Sequence, residues 1–400
     1  LLPEGLDGAE WCDGFLREKV PARAHNRGMT LPYRSWVEVS RRQLAANFAA
    51  LRAAVGPEVE VACVVKANAY GHGAVEVARV LETQGARWLA VAAVEEGVEL
   101  REAGLRARIL VMSDNLPENR GAFFDYGLTP VVHEPEELRP LEEMARKAGR
   151  PLAYHFKMDS GMGRLGTRAG AATMAEAVRA APHLRLEGWM THLASAGDYS
   201  SPQTDEQIKA FAAWRNELRQ AGADAPLVHM AATMPIAYGR REAWGNMVRP
   251  GLSVYGYVPP VRGGAPPRIL EVHPALTWKA RLVAVKAVPA GAPIGYGALF
   301  RSPHAMRVGM AAAGYADGVP HQLTCRGQVI AAGRLVSMLG AVSMDLTAID
   351  LTECPALQPG DAVTLLGREG DASLDAEQIA EAAGTISYAI LCGIGNRVKR

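Results

Sequence analysis

A regular alternation of short apolar runs with helical stretches constrains the fold of this 400-residue chain more than any other feature. In a parallel sheet, such apolar runs are strands buried on both faces. The strand candidates are 61–66, 88–93, 108–112, 128–132, 153–158, 184–191, 226–230 and 247–254. The helical stretches between them include 134–148, 168–180 and 204–220. Eight such units predict an α/β fold, a (β/α)8 TIM-like barrel with its chemistry at the carboxyl ends of the strands.

The alternation also fits a doubly wound open sheet, and periodicity alone does not separate the two architectures. Beyond Pro267 the pattern changes to β-rich segments punctuated by glycine and proline, which predict a mostly β C-terminal domain. A helix over 375–383, with Ser373 as its candidate cap, is the exception there. We therefore expect an N-terminal extension, a barrel and a β-rich domain, over 1–32, 33–268 and 269–400.

The barrel segment is expected to open with residues 33–39, where apolar and polar side chains alternate as they do in a strand. Helical spacing follows over 41–54. Ser40 can cap this helix, because its hydroxyl can accept a hydrogen bond from an amide of the first turn.

Composition and charge exclude several classes of partner. The 43 basic and 42 acidic side chains leave a net charge of +1, so neither nucleic acid nor a membrane surface is an expected partner. No apolar stretch reaches the roughly 18 residues of a membrane span, and no signal peptide is visible. The five cysteines are scattered without a CxxC pair, which argues against a disulfide framework or a metal site. These features predict a soluble, cytoplasmic protein.

The most informative stretch for chemistry is Lys-Ala-Asn-Ala-Tyr-Gly-His-Gly, which begins at Lys66 after the first apolar run. Barrels of this type carry catalytic groups at the carboxyl ends of their strands, although most lysines at strand ends are plain surface residues. The stretch resembles the cofactor-lysine motif of the alanine racemase family. The resemblance implies that Lys66 holds pyridoxal 5′-phosphate as a Schiff base and that Tyr70 contacts its phosphate.

A second match lies at the last barrel strand, where Val-Arg-Pro-Gly-Leu around Arg249 resembles the family's strand-eight motif. It implies that Arg249 faces the pyridine nitrogen and that the amides of Gly251 and Leu252 hold the phosphate. After strand seven the family usually has asparagine and serine where this chain has Ala232 and Thr233. Thr233 retains a hydroxyl for the phosphate, whereas Ala232 removes a polar group.

Two further barrel strands end in candidate side chains. The string Phe-Lys-Met-Asp-Ser-Gly-Met-Gly-Arg-Leu-Gly, which contains Lys157 and Arg164, is very similar to one in the family. It implies that Arg164 binds the cofactor's phenolic oxygen and the substrate carboxylate, a role that suits a permanently charged guanidinium. The resemblance also implies a carbamylated Lys157 that orients Arg164, and the alternative is a lysine that pairs with Asp159 or another acid. His192 ends strand six, and the resemblance places it between the catalytic tyrosine and Arg249.

The C-terminal domain carries three more matches, at Tyr296, Tyr315 and Met344. The resemblance makes Tyr296 the second catalytic base, lets Tyr315 narrow the substrate entrance, and places the Met344 amide at the substrate carboxylate. In the family, the β-domain of one chain closes the barrel mouth of the other. We therefore expect a homodimer with shared active sites.

These matches, which span about 33–400, predict an amino-acid racemase that acts on a small-molecule substrate. It would interconvert L- and D-alanine by two-base proton transfer at the Cα of an amino acid held on pyridoxal 5′-phosphate. Lys66 and Tyr296 are the expected bases, and a cationic arrangement of His192 and Arg249 is expected to lower the pKa of Tyr296. No metal ion is expected.

Two departures leave the substrate range open. The family often has arginines at the positions of His321 and Ala341, near the entrance, and some members have a phosphate-binding tyrosine at that of Asn396. A serine or broad-specificity racemase of the same fold is therefore an alternative. A non-catalytic pyridoxal phosphate-binding protein would lack the β-domain and Tyr296. A fold-related decarboxylase would need its own carboxylate and cysteine motifs, which the sequence does not show.

Overall fold

Eight parallel strands form the first sheet in the order that the sequence predicts. The computed structural model describes residues 33–400, so the extension expected over 1–32 lies outside the described residues. The strands are Glu60–Val64, Trp88–Val91, Arg108–Val111, Thr129–Val132, Leu152–Lys157, Leu184–Met190, Leu227–His229 and Met247–Val248. The last strand pairs with the first, and the amide of Arg249 donates to the carbonyl of Ala231 at 2.8 Å, so the sheet closes into a barrel. The predicted barrel is confirmed, and the doubly wound alternative is wrong.

The barrel strands form where the sequence is apolar on both faces. Trp88–Val91 and Thr129–Val132 are buried at every position, because helices cover the outside and side chains fill the inside. The helices of the barrel and its loops are Arg41–Val55, Lys66–Tyr70, Ala74–Thr83, Val94–Glu102, Arg120–Asp125, Leu138–Ala148, Ala171–Arg179, Gln203–Gln220 and Thr233–Ala237. Along residues 33–400, no helix has both the length and the apolar character that crossing a membrane requires.

The second sheet is antiparallel, as the β-rich composition after Pro267 predicts. Its strands, in spatial order, are Ser35–Val39, Leu276–Val288, Met306–Ala311, Thr347–Asp350, Arg334–Leu339, Gln328–Ala331, Ala362–Glu369 and Ala372–Leu374. Leu276–Val288 also pairs with Ala362–Glu369, which curls the sheet back on itself. A hairpin of Pro293–Ile294 with Phe300–Arg301 lies beside it. The helices Ala376–Ala383 and Ser387–Cys392 end this part of the chain.

Three local expectations differ from the structure. The strand expected to open the barrel, Ser35–Val39, pairs instead with Leu276–Val288 of the antiparallel sheet, so the two sheets share the start of the chain. The last barrel strand is two residues long and is followed by a 3-10 helix, Leu252–Tyr255, because the Arg-Pro-Gly turn ends it. The cap of the helix Ala376–Ala383 is Asp375, whose carboxylate accepts from two amides of the first turn, and not Ser373.

Candidate active site

A cavity of about 490 Å³ opens at the carboxyl ends of the barrel strands, where the sequence places the chemistry. All the candidate barrel residues line it. They are Lys66, Tyr70, Lys157, Arg164, His192, Ala232, Thr233, Arg249, Gly251 and Leu252. The structure therefore brings together in one cavity side chains that are spread over nearly 190 residues of sequence.

Lys66 lies at the start of a strained turn and not within the strand, which ends at Val64. The next four residues, 67–70, all have left-handed backbone conformations with φ near 52°, although none of them is glycine. Such conformations cost about 1 kcal/mol or more per residue, so the surroundings must hold the turn. The Ala67 amide donates to Glu96 Oε1 at 2.6 Å, and the Asn68 side chain accepts from the Ala74 amide at 2.8 Å.

Tyr70, at the end of that turn, is packed against the loop after the last barrel strand. A β-carbon built on Gly251 would lie 2.5 Å from Tyr70 Oη, so the contact requires glycine. Burial raises the pKa of Tyr70, which therefore carries its phenolic proton and can donate it in a hydrogen bond. The hydroxyl of Thr233 lies 3.1 Å from that of Ser253 and accepts from the Ser253 amide at 3.2 Å. The phenol of Tyr70, the hydroxyl of Thr233 and the backbone amides of Gly251 and Leu252 thus lie around one corner of the cavity.

Arg249 is 3% exposed, and backbone carbonyls and histidines surround its guanidinium. Nη1 lies 2.6 Å from His229 Nδ1, and Nη2 donates to the Thr191 and Met230 carbonyls at 2.8 and 3.2 Å. Nη2 also lies 3.3 Å from His192 Nδ1. Burial lowers the pKa of Arg249 to about 9, which still leaves the side chain cationic at neutral pH.

His192 is neutral, which corrects the expected cationic pair. Burial, followed by the nearby charges of Arg249 and Lys157, lowers the pKa of His192 to about 3. The positive charge of the pair therefore resides on Arg249 alone. Because a guanidinium only donates, His192 Nδ1 accepts from Arg249, and the ring proton is on Nε2, free to donate to an oxygen in the cavity.

Lys157 is buried in its strand, and its environment makes it easy to deprotonate. Burial, followed by the charges of Arg249 and Arg164, lowers the pKa of Lys157 to about 8. It makes no ion pair with Asp159, since the Asp159 carboxylate instead accepts from Arg168 at 2.9 Å. The other carboxylate oxygen of Asp159 accepts from three successive loop amides, at 161–163. These contacts hold the loop that carries Arg164.

The three candidates of the C-terminal domain do not line the cavity of their own barrel. Tyr296, Tyr315 and Met344 are 76%, 46% and 52% exposed. Backbone hydrogen bonds join two of the loops that carry them, because the Tyr315 amide donates to the Ser343 carbonyl at 3.0 Å and the Ala316 amide to the Met344 carbonyl at 3.1 Å. Within a single chain the structure thus assembles only the barrel half of the predicted site.

Sequence reasoning missed the helix Ser387–Cys392, which contributes to the cavity from the C-terminal domain. Ile386, Tyr388 and Cys392 line the cavity, and the Tyr388 ring lies 5.9 Å from that of Tyr70. Asn396, which was considered for a phosphate-binding position, is exposed and lies outside this cavity. An apolar helix with one tyrosine gives no signal of chemistry, and only its docking against the lysine turn reveals the contribution.

Two family models cover most of the chain. The model for the alanine racemase N-terminal domain matches residues 39–259, and the model for the alanine racemase C-terminal domain matches residues 275–400. The chain belongs to the alanine racemase family. An alanine racemase of Synechocystis sp. is 39% identical over 370 residues, which cover 92% of this chain and 98% of that protein. One of Halothermothrix orenii is 38% identical over 94% of this chain and 98% of its own length.

Solved structures of alanine racemases resemble the fold over more than nine-tenths of the chain. The enzyme of a D-cycloserine-producing Streptomyces lavendulae superposes with a TM-score of 0.86 at 33% identity, covering 93% of this chain and 97% of that chain. The alanine racemase of Bartonella henselae, solved with covalently bound pyridoxal phosphate, has a TM-score of 0.79 at 26% identity and covers 92% and 99%. These comparisons confirm the family and the barrel plus β-domain fold that the motifs predict.

Proposed function

We propose that this member of the family is a pyridoxal 5′-phosphate-dependent racemase that interconverts L- and D-alanine. One observation carries the proposal. A single cavity at the barrel mouth joins Lys66 on a strained turn, a corner with phenol and amide donors around Tyr70 and Gly251, and the buried cation Arg249. The curated relatives described above carry the name alanine racemase, and nothing in the comparisons favours a serine racemase.

The residues of the cavity fit the cofactor. Lys66 offers an amine for its aldehyde carbon, and Arg249 offers a donor to its ring nitrogen. Tyr70, Thr233 and the amides of Gly251 and Leu252 would hold its phosphate, in a corner that a β-carbon on Gly251 would obstruct. When bound, the cofactor withdraws electrons from the Cα of an attached amino acid and so makes the Cα proton acidic.

Proton transfer at Cα would then be the work of two bases on opposite faces. The amine of Lys66, once released from the cofactor, takes or returns a proton on one face, and the phenol of Tyr296 does so on the other. His192 can donate from Nε2 to a phenolic oxygen and so favour the ionised form of Tyr296. Arg249 can only donate hydrogen bonds, which keeps the ring nitrogen unprotonated and limits charge spreading into the ring.

Three residues would hold the substrate. The guanidinium of Arg164 and the amide of Met344 would bind its carboxylate, and Tyr315 would narrow the entrance. The low pKa of Lys157 supports its carbamylation, because only a neutral amine reacts with carbon dioxide. A carbamate there would be an anion able to orient Arg164.

We further propose that the active enzyme is a homodimer with shared sites. Tyr296, Tyr315 and Met344 are large side chains exposed on the C-terminal domain, away from the cavity of their own barrel. In a two-fold dimer, the same surface of each chain can complete the site of the other. This arrangement would place Tyr296 opposite Lys66.

Formation of D-alanine from L-alanine tests the proposal. The full chain, supplied with pyridoxal 5′-phosphate, is incubated with L-alanine, and the enantiomers are separated by chiral chromatography. We expect the mixture to reach equal amounts of both enantiomers, and Lys66→Ala to produce almost none. A folded, cofactor-loaded protein that leaves L-alanine unchanged would contradict the assignment.

A further inference from the structure

A line of buried polar side chains runs from the cavity through the inside of the barrel towards its opposite end. His229 ends one strand, and its neighbours on the line are His155 and Glu187, which lie within two other strands. Arg249 Nη1 lies 2.6 Å from His229 Nδ1, and His229 Nε2 lies 2.7 Å from His155 Nδ1. His155 Nε2 is 3.7 Å from Glu187 Oε2. Both histidines are fully buried, and Glu187 is 8% exposed.

The chemistry of the two ends fixes where each ring proton lies. A guanidinium can only donate, so His229 Nδ1 accepts from Arg249 and the proton of His229 is on Nε2. His155 Nδ1 therefore accepts from His229, and the proton of His155 is on Nε2, facing Glu187. A doubly protonated histidine at either position would place two donors face to face at 2.7 Å or less. Burial lowers the pKa of both rings, consistent with two neutral histidines.

Glu187 is the acceptor at the far end of the line. Among residues 33–400, His155 Nε2 has no hydrogen-bond partner within 3.5 Å, and the Glu187 carboxylate lies just beyond that distance. Arg108 keeps this carboxylate charged, since its guanidinium donates to both oxygens, and the exposed Arg185 lies 3.5 Å away. Arg108 in turn stacks 4.0 Å from the centre of the Trp88 ring, which fixes its direction.

We propose that Glu187 and His155 are positioning residues, which set the tautomer of His229 and thereby hold the guanidinium of Arg249 in place at the cavity. Without the carboxylate, the proton of His155 is no longer attracted to Nε2 and can move to Nδ1. The proton of His229 must then move to Nδ1, where it meets the donor Nη1 of Arg249 at 2.6 Å. This repulsion displaces the guanidinium, although Glu187 itself touches no ligand. The effect on catalysis rests on the function proposed above, whereas the tautomers do not.

Nitrogen NMR of the ¹⁵N-histidine-labelled full chain, loaded with pyridoxal 5′-phosphate, tests the arrangement directly. The signals are assigned with His155→Gln and His229→Gln. We expect both rings in the wild type to be neutral and protonated at Nε2, and Glu187→Gln to move part of the His155 population to the Nδ1 form. A wild type with either ring protonated at Nδ1 would overturn the proposal, and this result requires no catalytic activity.

Kinetics separate positioning from a merely structural role. If the chain racemises alanine, Glu187→Gln should lower kcat by roughly tenfold. KM should stay within about twofold of the wild-type value, because Arg164, the proposed ligand of the substrate carboxylate, does not belong to the line. The matched control is Glu142→Gln, which removes the carboxylate from another histidine pair, His183 Nδ1 to Glu142 Oε1 at 2.5 Å, outside the barrel interior. Glu142→Gln should change neither kcat nor the tautomers of His155 and His229. A Glu187→Gln protein with wild-type kcat and unshifted tautomers would refute the proposal.

Discussion

Gly251 and Tyr70 approach each other so closely that a β-carbon on Gly251 would lie 2.5 Å from Tyr70 Oη. The φ of Gly251 is −109°, outside the left-handed region, so this close contact is the observed reason for glycine at the position. The two residues come from opposite ends of the barrel sequence. Their contact brings a phenol and backbone amides to the same corner of the cavity.

Gly251→Ala should weaken binding of pyridoxal 5′-phosphate. The new methyl group must push Tyr70 away, so we expect the dissociation constant to rise by roughly tenfold, a loss of about 1.4 kcal/mol. Titration of the cofactor-free protein, followed by fluorescence, measures the change. Gly121→Ala is the control, since a β-carbon there meets no atom within 4 Å. Equal affinities of the Gly251→Ala and wild-type proteins would mean that this corner does not hold the phosphate.

Asp159 should make stability depend on pH in acid. Burial alone would raise the pKa of Asp159, but hydrogen bonds from the Gly163 amide, Arg168 and two more amides lower it to about 2. Because the folded pKa lies below the unfolded value of about 3.9, the stabilisation is complete above pH 4 and is lost as the pH falls towards 2. Asp159→Asn should therefore cost about 2 kcal/mol at pH 7 and much less near pH 2.

Urea unfolding at pH 7 and pH 3 measures this difference, since about half of the stabilisation should be lost at pH 3. Asp205→Asn is the control, because its carboxylate is 57% exposed and pairs with Arg240 at the surface. An exposed pair contributes at most about 1 kcal/mol. If Asp159→Asn showed the same loss at both pH values, the charge of Asp159 would not be the cause.

The entrance residues predict some activity towards an amino acid larger than alanine. The His321 ring lies 6.1 Å from that of Tyr315, and Ala341 lines a surface cavity of about 350 Å³ together with Tyr296. Both positions, where the family often has arginine, are thus next to proposed substrate-site residues. We expect the unaltered protein to racemise L-serine at a measurable rate. In the double variant His321→Arg, Ala341→Arg, the kcat/KM for serine should fall relative to the kcat/KM for alanine. Strict preference for alanine in the unaltered protein would show that His321 and Ala341 do not set the substrate range.

Mixed dimers test whether the sites are shared. Lys66→Ala and Tyr296→Phe proteins should each be nearly inactive, because every site lacks one base. After subunit exchange, half of the dimers are hybrids, and each hybrid has one intact site if the two bases come from different chains. Activity should then return to roughly a quarter of the wild-type value. A mixture that stays inactive, although mass spectrometry shows hybrids, would place both bases in one chain.

The barrel could be predicted because its strands are apolar on both faces, and the motifs located Lys66, Arg249 and Gly251. The strand that pairs with Ser35–Val39 could not be predicted, since the alternating pattern of a strand does not reveal which sheet it joins. The neutral state of His192 could not be predicted from the sequence either, because it depends on burial beside Arg249. Tyr388 was missed for a similar reason. Its place in the cavity depends on a close contact between Gly71 and the Leu391 carbonyl, which docks the last helix onto the lysine turn.

Exchange of the Cα proton in deuterium oxide tests the central claim, that Lys66 and Tyr296 act on opposite faces of Cα. Proton NMR follows each alanine enantiomer separately, with the wild-type and Tyr296→Phe proteins both loaded with pyridoxal 5′-phosphate. We predict that the wild type exchanges both enantiomers, whereas Tyr296→Phe loses exchange of one by about 100-fold or more and retains that of the other through Lys66. Equal exchange of both enantiomers by Tyr296→Phe, or a loss below roughly tenfold, would contradict the two-base account.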